Sequence, residues 1–79
     1  MDSRLYLLDD DIHTFDDVSM LLQRYLGYST LQGASIATLV HTKGKCEIKI
    51  GEFSDLEYLS EILQKEGFNT LLENDYEGY

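Results

Sequence analysis

The spacing of apolar residues along this 79-residue chain changes several times, and each change marks an element. Leu5-Tyr6-Leu7-Leu8 is a continuous apolar run after Arg4, which predicts a buried strand over Arg4 to Leu8. Beyond the polar stretch from Asp9 to His13, the residues Phe15, Val18, Leu22 and Tyr25 recur at helical spacing. Thr14 stands where a cap belongs, Asp16 and Asp17 suit the positive end of the helix dipole, and Gly27 ends the helix. Ser29 or Thr30 caps a second helix that turns Ile36, Leu39 and Val40 toward the core and closes at Gly44. From Lys45 to Ile50 the period drops to two, with Cys46, Ile48 and Ile50 alternating against Lys45, Glu47 and Lys49, as in a half-buried strand. Ser54-Asp55-Leu56-Glu57 has the form of a capping box, which starts a third helix with Leu56, Leu59, Ile62 and Leu63 as its apolar stripe. Gly67 stops that helix, and Phe68 to Leu72 forms the last strand.

The order β-α-α-β-α-β predicts an α/β (α+β) two-layer sandwich, with three helices on one face of a three-stranded sheet. The length suits one domain over residues 1–79, with its core at about 4–72 and an acidic tail, 73–79, expected to be mobile. No repeat, linker or proline interrupts it, and 43% apolar content is too high for a disordered chain. No apolar run is long enough to cross a membrane and no signal-peptide pattern precedes the first strand, so a cytoplasmic, membrane-free location is expected. Cys46 stands alone, which rules out a disulfide framework and suggests a small buried hydrophobe.

Charge narrows the function. Fifteen acidic against six basic residues give a net charge of −9, which disfavours nucleic acid as a partner. Asp2, Asp9, Asp10, Asp11, Asp16 and Asp17 crowd one end of the chain, opposed there by Arg4, so that end attracts cations. The adjacent carboxylates of Asp9, Asp10 and Asp11 repel one another and gain nothing structurally from their neighbours. They point to a cationic partner, a metal ion or a ligand ammonium, against the plainer alternative of a solvated acidic loop.

Several chemistries fail on spacing. A receiver domain alternates strands and helices over a longer chain, whereas two helices follow in succession here. An EF-hand loop beginning at Asp9 would need glycine at Thr14 and glutamate at Met20. There is no Gly-x-Ser-x-Gly, and Asp10, Asp11 and His41 form a triad without a nucleophile, so neither catalysis nor a cofactor is expected. What remains for carboxylates beside an apolar helix face is to hold an ammonium whose side chain enters a pocket. A peptide α-amino group, with a pKa of about 8, is mostly cationic at neutral pH. A neutral His41 can accept one of its hydrogen bonds, although its position at a helix end suits a capping or surface role equally well.

Leu7-Leu8-Asp9-Asp10-Asp11-Ile12-His13-Thr14-Phe15, followed by Val40-His41-x-x-Gly44-Lys45, resembles the ClpS family, adaptors that hand N-end-rule substrates to Clp proteases. The resemblance runs from about Tyr6 to Leu72 and includes the element order, which the family shares with the C-terminal domain of ribosomal protein L7/L12. It implies that Asp9, Asp10, Asp11 and His41 surround the α-amino group of an N-degron. His13, Phe15, Val18, Leu21, Ala37 and Val40 then fall on or near the positions that line the side-chain pocket. The implied partners are N-degron peptides with a large apolar first residue and the N-terminal domain of a ClpA- or ClpC-like ATPase.

The chain departs from the family at several positions. Asp9 stands where the family has Asn, Phe15 where it has Met, and Ala37 where it has a larger residue. Family members carry a flexible N-terminal extension used in delivery, while Met1, Asp2 and Ser3 alone precede Arg4, so docking with poor delivery is the expectation. The alternative is an L7/L12-like interaction domain without N-degron binding. The acidic loop and His41 argue against it, because a plain docking surface has no need of a carboxylate-lined pocket.

Overall fold

β1 (Asp2–Leu8) is the middle strand of an antiparallel sheet ordered β2-β1-β3, flanked by β2 (Lys45–Glu52) and β3 (Thr70–Asn74). The computed structural model describes residues 2–74. Along β1 the pleat buries Ser3, Leu5 and Leu7, leaving Arg4, Tyr6 and Leu8 half-buried on the opposite face. There the Lys45 ammonium lies 4.9 Å over the Tyr6 ring, and Arg4 comes within 3.7 Å of Glu47.

The three helices, α1 (Phe15–Leu26), α2 (Thr30–Lys43) and α3 (Phe53–Lys65), cover the Leu5 and Leu7 face. α3 contacts all three strands, whereas α1 packs on α2 and α2 sits against β2. Leu5, Leu7, Ile48, Leu22, Leu56 and Leu63 are almost fully buried at the centre of the core. As expected, Thr14 caps α1, and Gly27 and Gly44 end α1 and α2, both in the left-handed conformation; Asp17 answers Thr14 in a reciprocal capping box. Of the two candidates for capping α2, Ser29 takes the role, paired with Gln32.

Five expectations require correction. β1 begins at Asp2 because Asp2 and Ser3 pair with Glu52 and Gly51. β3 is displaced toward the C-terminus, so Glu73 and Asn74 belong to the sheet and not to a mobile tail. The Ser3 hydroxyl donates to the Asn74 side chain at 2.6 Å, and residues 75–79 lie outside the described ones. Phe68 is a buried residue of the turn before β3. The capping box at Ser54 does not form. Pairing holds β2 extended through Glu52, so the chain passes directly into α3 at Phe53 without a side-chain cap.

The fifth correction concerns burial. Ile50 is exposed because a bulge at Ile48 reverses the phase of β2: Leu5 pairs with Lys49 but Tyr6 with Glu47. The Tyr28 hydroxyl donates to the carbonyl of Ile48, tying the α1–α2 turn to this bulge. Cys46 is half-buried, and burial pushes its thiol up, with the nearby Glu47 adding to the effect. Leu39 is also exposed, lying about 200° around α2 from Ala37. Ala37 and Val40 face inward together with Gly33, while Ile36 is half-buried.

Gly33 sets how closely α2 approaches α1, because a Cβ there would lie 3.0 Å from both the carbonyl oxygen and the hydroxyl of Ser19. The carbonyl belongs to helical backbone and cannot move aside at low cost. Gly33→Val should therefore destabilise the domain by about 1–3 kcal/mol in urea denaturation. An unchanged unfolding midpoint would show that the helices do not meet here.

Candidate functional site

Two backbone hydrogen bonds position the acidic loop where it leaves β1. The Leu8 amide donates to Asn69 at 3.0 Å, and the Asp9 amide donates to Gly44 at 2.9 Å. The second bond draws the loop against the end of α2, whose last turn carries His41. As a result the Asp9 carboxylate lies 3.1 Å from His41 Nδ1. Phe15, the first residue of α1, places its ring 6.4 Å from the imidazole at an interplanar angle of 22°. His41 Nε2 is buried and meets no hydrogen-bond partner.

Asp10 has a different task. One of its oxygens accepts from the amides of Ile12 and His13 at 2.8 and 2.7 Å, closing an Asx-type turn. The other lies 2.8 Å from His13 Nδ1, and the His13 ring stacks on Phe68 at 3.7 Å. Burial pushes the Asp10 carboxyl up, but the hydrogen bonds from His13 and Ile12 outweigh it and hold the group below its ordinary value. The Thr14 amide and hydroxyl hold the Asp17 carboxyl low in the same way, against a smaller opposing effect of burial. Asp11 and Ile12 are exposed at the loop tip.

The acids named from the sequence thus separate into two aspartate–histidine pairs. Asp9 and His41 meet beside Phe15, while Asp10 and His13 lock the loop against Phe68. Among the described residues no group of three or more His, Cys, Asp or Glu side chains is arranged to hold a metal ion. Of the apolar residues, Phe15 is 40% exposed whereas Val18, Leu21, Ala37 and Val40 are buried in the core. Val18 follows Phe15 by one turn and Ala37 precedes His41 by one turn, so each shares a helix face with a member of the Asp9–His41 cluster.

His13 and Leu21 also line a separate groove of about 260 Å³, together with Met20, Arg24, Tyr25 and Phe68. The sequence reading missed Phe68 as a support of the loop, because an aromatic after Gly67 reads as the start of a strand. Chemically, the Asp9–His41 cluster offers a carboxylate and an imidazole nitrogen beside an aromatic ring. That set suits a cation carrying N–H donors and an apolar group.

The model of the family described as ATP-dependent Clp protease adaptor protein ClpS matches residues 2–75 of the chain. No curated protein matches it in sequence. Among solved structures, Agrobacterium tumefaciens ClpS2 bound to L-phenylalaninamide aligns with a TM-score of 0.70 at 19% identity, covering 91% of this chain and 96% of that one. At that identity the likeness is one of fold.

The role of Asp10 has a consequence for pH. Its native pKa is depressed, so the order it gives the loop is complete above its ordinary value of 3.8 and lost as pH falls below it, through the native value. Amide exchange at Ile12 and His13 should accelerate across that window, and Asp10→Ala should show the same fast exchange at neutral pH. Unaltered exchange in the variant would show that other contacts hold the loop.

Proposed function

The chain belongs to the ClpS family of ATP-dependent Clp protease adaptor proteins, and we propose that it binds the free N-terminal residue of substrate proteins and docks on the N-terminal domain of a ClpA- or ClpC-like ATPase. The observation that carries this reading is the Asp9–His41 pair beside Phe15, with the buried Nε2 of His41 lacking a partner. An α-ammonium supplies the missing donor together with a charge for the carboxylates. The phenylalaninamide on the structurally similar ClpS2 is itself a free amine next to an aromatic side chain, which supports a ligand of this chemistry.

In this reading Asp9 and His41 contact the amine, Asp11 adds negative charge from the exposed loop tip, and Asp10 positions the loop. The first side chain of the substrate enters beside Phe15, against Val18, Leu21, Ala37 and Val40. Those residues are buried, so Phe15, at the edge, is the residue that yields. Ala37 leaves depth for a ring, while Phe15 at the entrance crowds a β-branched carbon. The site binds and presents; it carries out no reaction.

Energetics set the scale. Burying a large apolar side chain contributes about 1.5–3 kcal/mol. Charge-assisted hydrogen bonds add about 1.5–3 kcal/mol each. After the costs of association, a dissociation constant of about 1 µM is reasonable.

Fluorescence anisotropy with labelled peptides tests the reading. Peptides beginning with Phe, Tyr, Trp or Leu should bind, those beginning with Ile or Val should bind weakly, and a Gly-initiated peptide should not bind. N-acetylation of the Phe peptide should weaken binding at least about a hundredfold, as the loss of two charge-assisted hydrogen bonds requires. Equal affinity for Phe- and Gly-initiated peptides would eliminate the pocket, and indifference to acetylation would eliminate the amine site. Docking is checked separately, by calorimetric titration of the chain into an isolated ClpA or ClpC N-terminal domain.

A further inference from the structure

We infer that Asp9, besides its contact with the amine, is a positioning residue for His41 that fixes the imidazole in the tautomer whose inner nitrogen accepts a hydrogen bond. The inference rests on the reading above that the ligand is a free amine. It follows from what each atom can donate. An ionised carboxylate has no proton to give and stands 3.1 Å from His41 Nδ1 as a charge contact, so the tautomer with its hydrogen on Nδ1 turns a positive end to it and the other tautomer a lone pair. In the first of these, Nε2 carries a lone pair. Among the described residues Nε2 is the only buried side-chain nitrogen or oxygen without a partner. The opposite tautomer would set a lone pair against the carboxylate and bury a donor with nothing to receive it, two costs instead of one.

The backbone makes this arrangement a fixed one. Asp9 cannot drift from α2, because its own amide is bonded to Gly44 three residues beyond His41. The Phe15 ring lies nearly parallel to the imidazole, 6.4 Å away. An amide at position 9 would present either an oxygen or an NH2 group to Nδ1, and both tautomers would be satisfied. The carboxylate removes that choice. His13 provides the internal contrast. Its Nδ1 is hydrogen-bonded to Asp10 at 2.8 Å, its ring is stacked on Phe68 and neither ring nitrogen is left buried without a partner. Both aspartates face a histidine, but one of those histidines is built into the loop and the other keeps a buried nitrogen without a partner.

The test is long-range 1H–15N correlation NMR on the full chain with 15N-labelled histidine, at a pH where both imidazoles are neutral, with and without phenylalaninamide as probe. In the wild type His41 should be in the Nδ1–H form before any ligand is added. Asp9→Asn should transfer a measurable share of His41 to the Nε2–H form and leave His13 unchanged. Asp11→Asn removes the same unit of charge and should leave the His41 tautomer untouched. Because only the Nδ1–H fraction can accept from the amine, the loss of affinity in Asp9→Asn should exceed that in Asp11→Asn by at least the reciprocal of that fraction, so about one-fifth Nδ1–H gives at least about a fivefold additional loss. Saturating probe should return the Asp9→Asn variant to the Nδ1–H form. A wild-type His41 in the Nε2–H form, or identical tautomers in wild type and Asp9→Asn, would overturn the inference whatever the affinities. A wild type whose His41 has the expected tautomer but whose spectrum does not respond to the probe would instead overturn the amine-binding reading.

Discussion

The backbone hydrogen bond from Asp9 to Gly44 is the constraint on which the candidate site depends. It joins the end of the central strand to the cap of α2, two points far apart in sequence, and so fixes the Asp9 side chain opposite His41. The neighbouring bond from Leu8 to Asn69 anchors the same strand end to the turn before β3. The acidic loop therefore grows from a point held on both sides. Gly44 makes the closure possible, since its φ of 88° turns the chain out of α2 and into β2 within one residue.

With the loop anchored, the repulsion among three adjacent aspartates is relieved by giving each carboxylate a different environment. Asp10 is spent inward on two amides and a histidine, and local hydrogen bonding holds its pKa down in spite of burial. Asp9 faces His41, and Asp11 remains exposed. Exposed charges contribute little to stability on their own. They leave a negative field at a spot that also holds a buried acceptor, which in the proposed reading favours a cationic ligand.

Much of this was legible in the sequence. Element order, both helix-ending glycines and the Thr14 cap follow from local rules that act within a few residues, and the structure keeps them. The departures all come from pairing and packing across the chain. Ile50 is turned outward by a bulge in β2, Ser54 loses its capping role because β1 pairs as far as Asp2, and Leu39 gives way to the small residues that α1 needs beneath it. At the site the sequence shows three aspartates and two histidines as equals. Which aspartate meets which histidine depends on how the loop folds back on Gly44 and Phe68, and no spacing rule contains that.

The same dependence limits how the site can vary. Val18, Leu21, Ala37 and Val40 are core residues as well as the apolar ground assigned to the ligand, and a domain of this size has little core to spare. Deleting methylenes from them to enlarge a pocket costs stability in the same step, of order 1 kcal/mol for each group removed. Phe15 is less tied to the core, though its ring stacks on His41. It sits on the first turn of α1, 40% exposed, with its cap supplied by Thr14 and Asp17 and not by its own side chain. In the proposed reading, ligand preference can change at position 15 at less cost to the fold than at the deeper positions, where changes must be compensated by repacking between α1 and α2. In the proposed site, bulk at position 15 lies at the edge of the core, and the small Ala37 lies where Gly33 already holds the two helices close together.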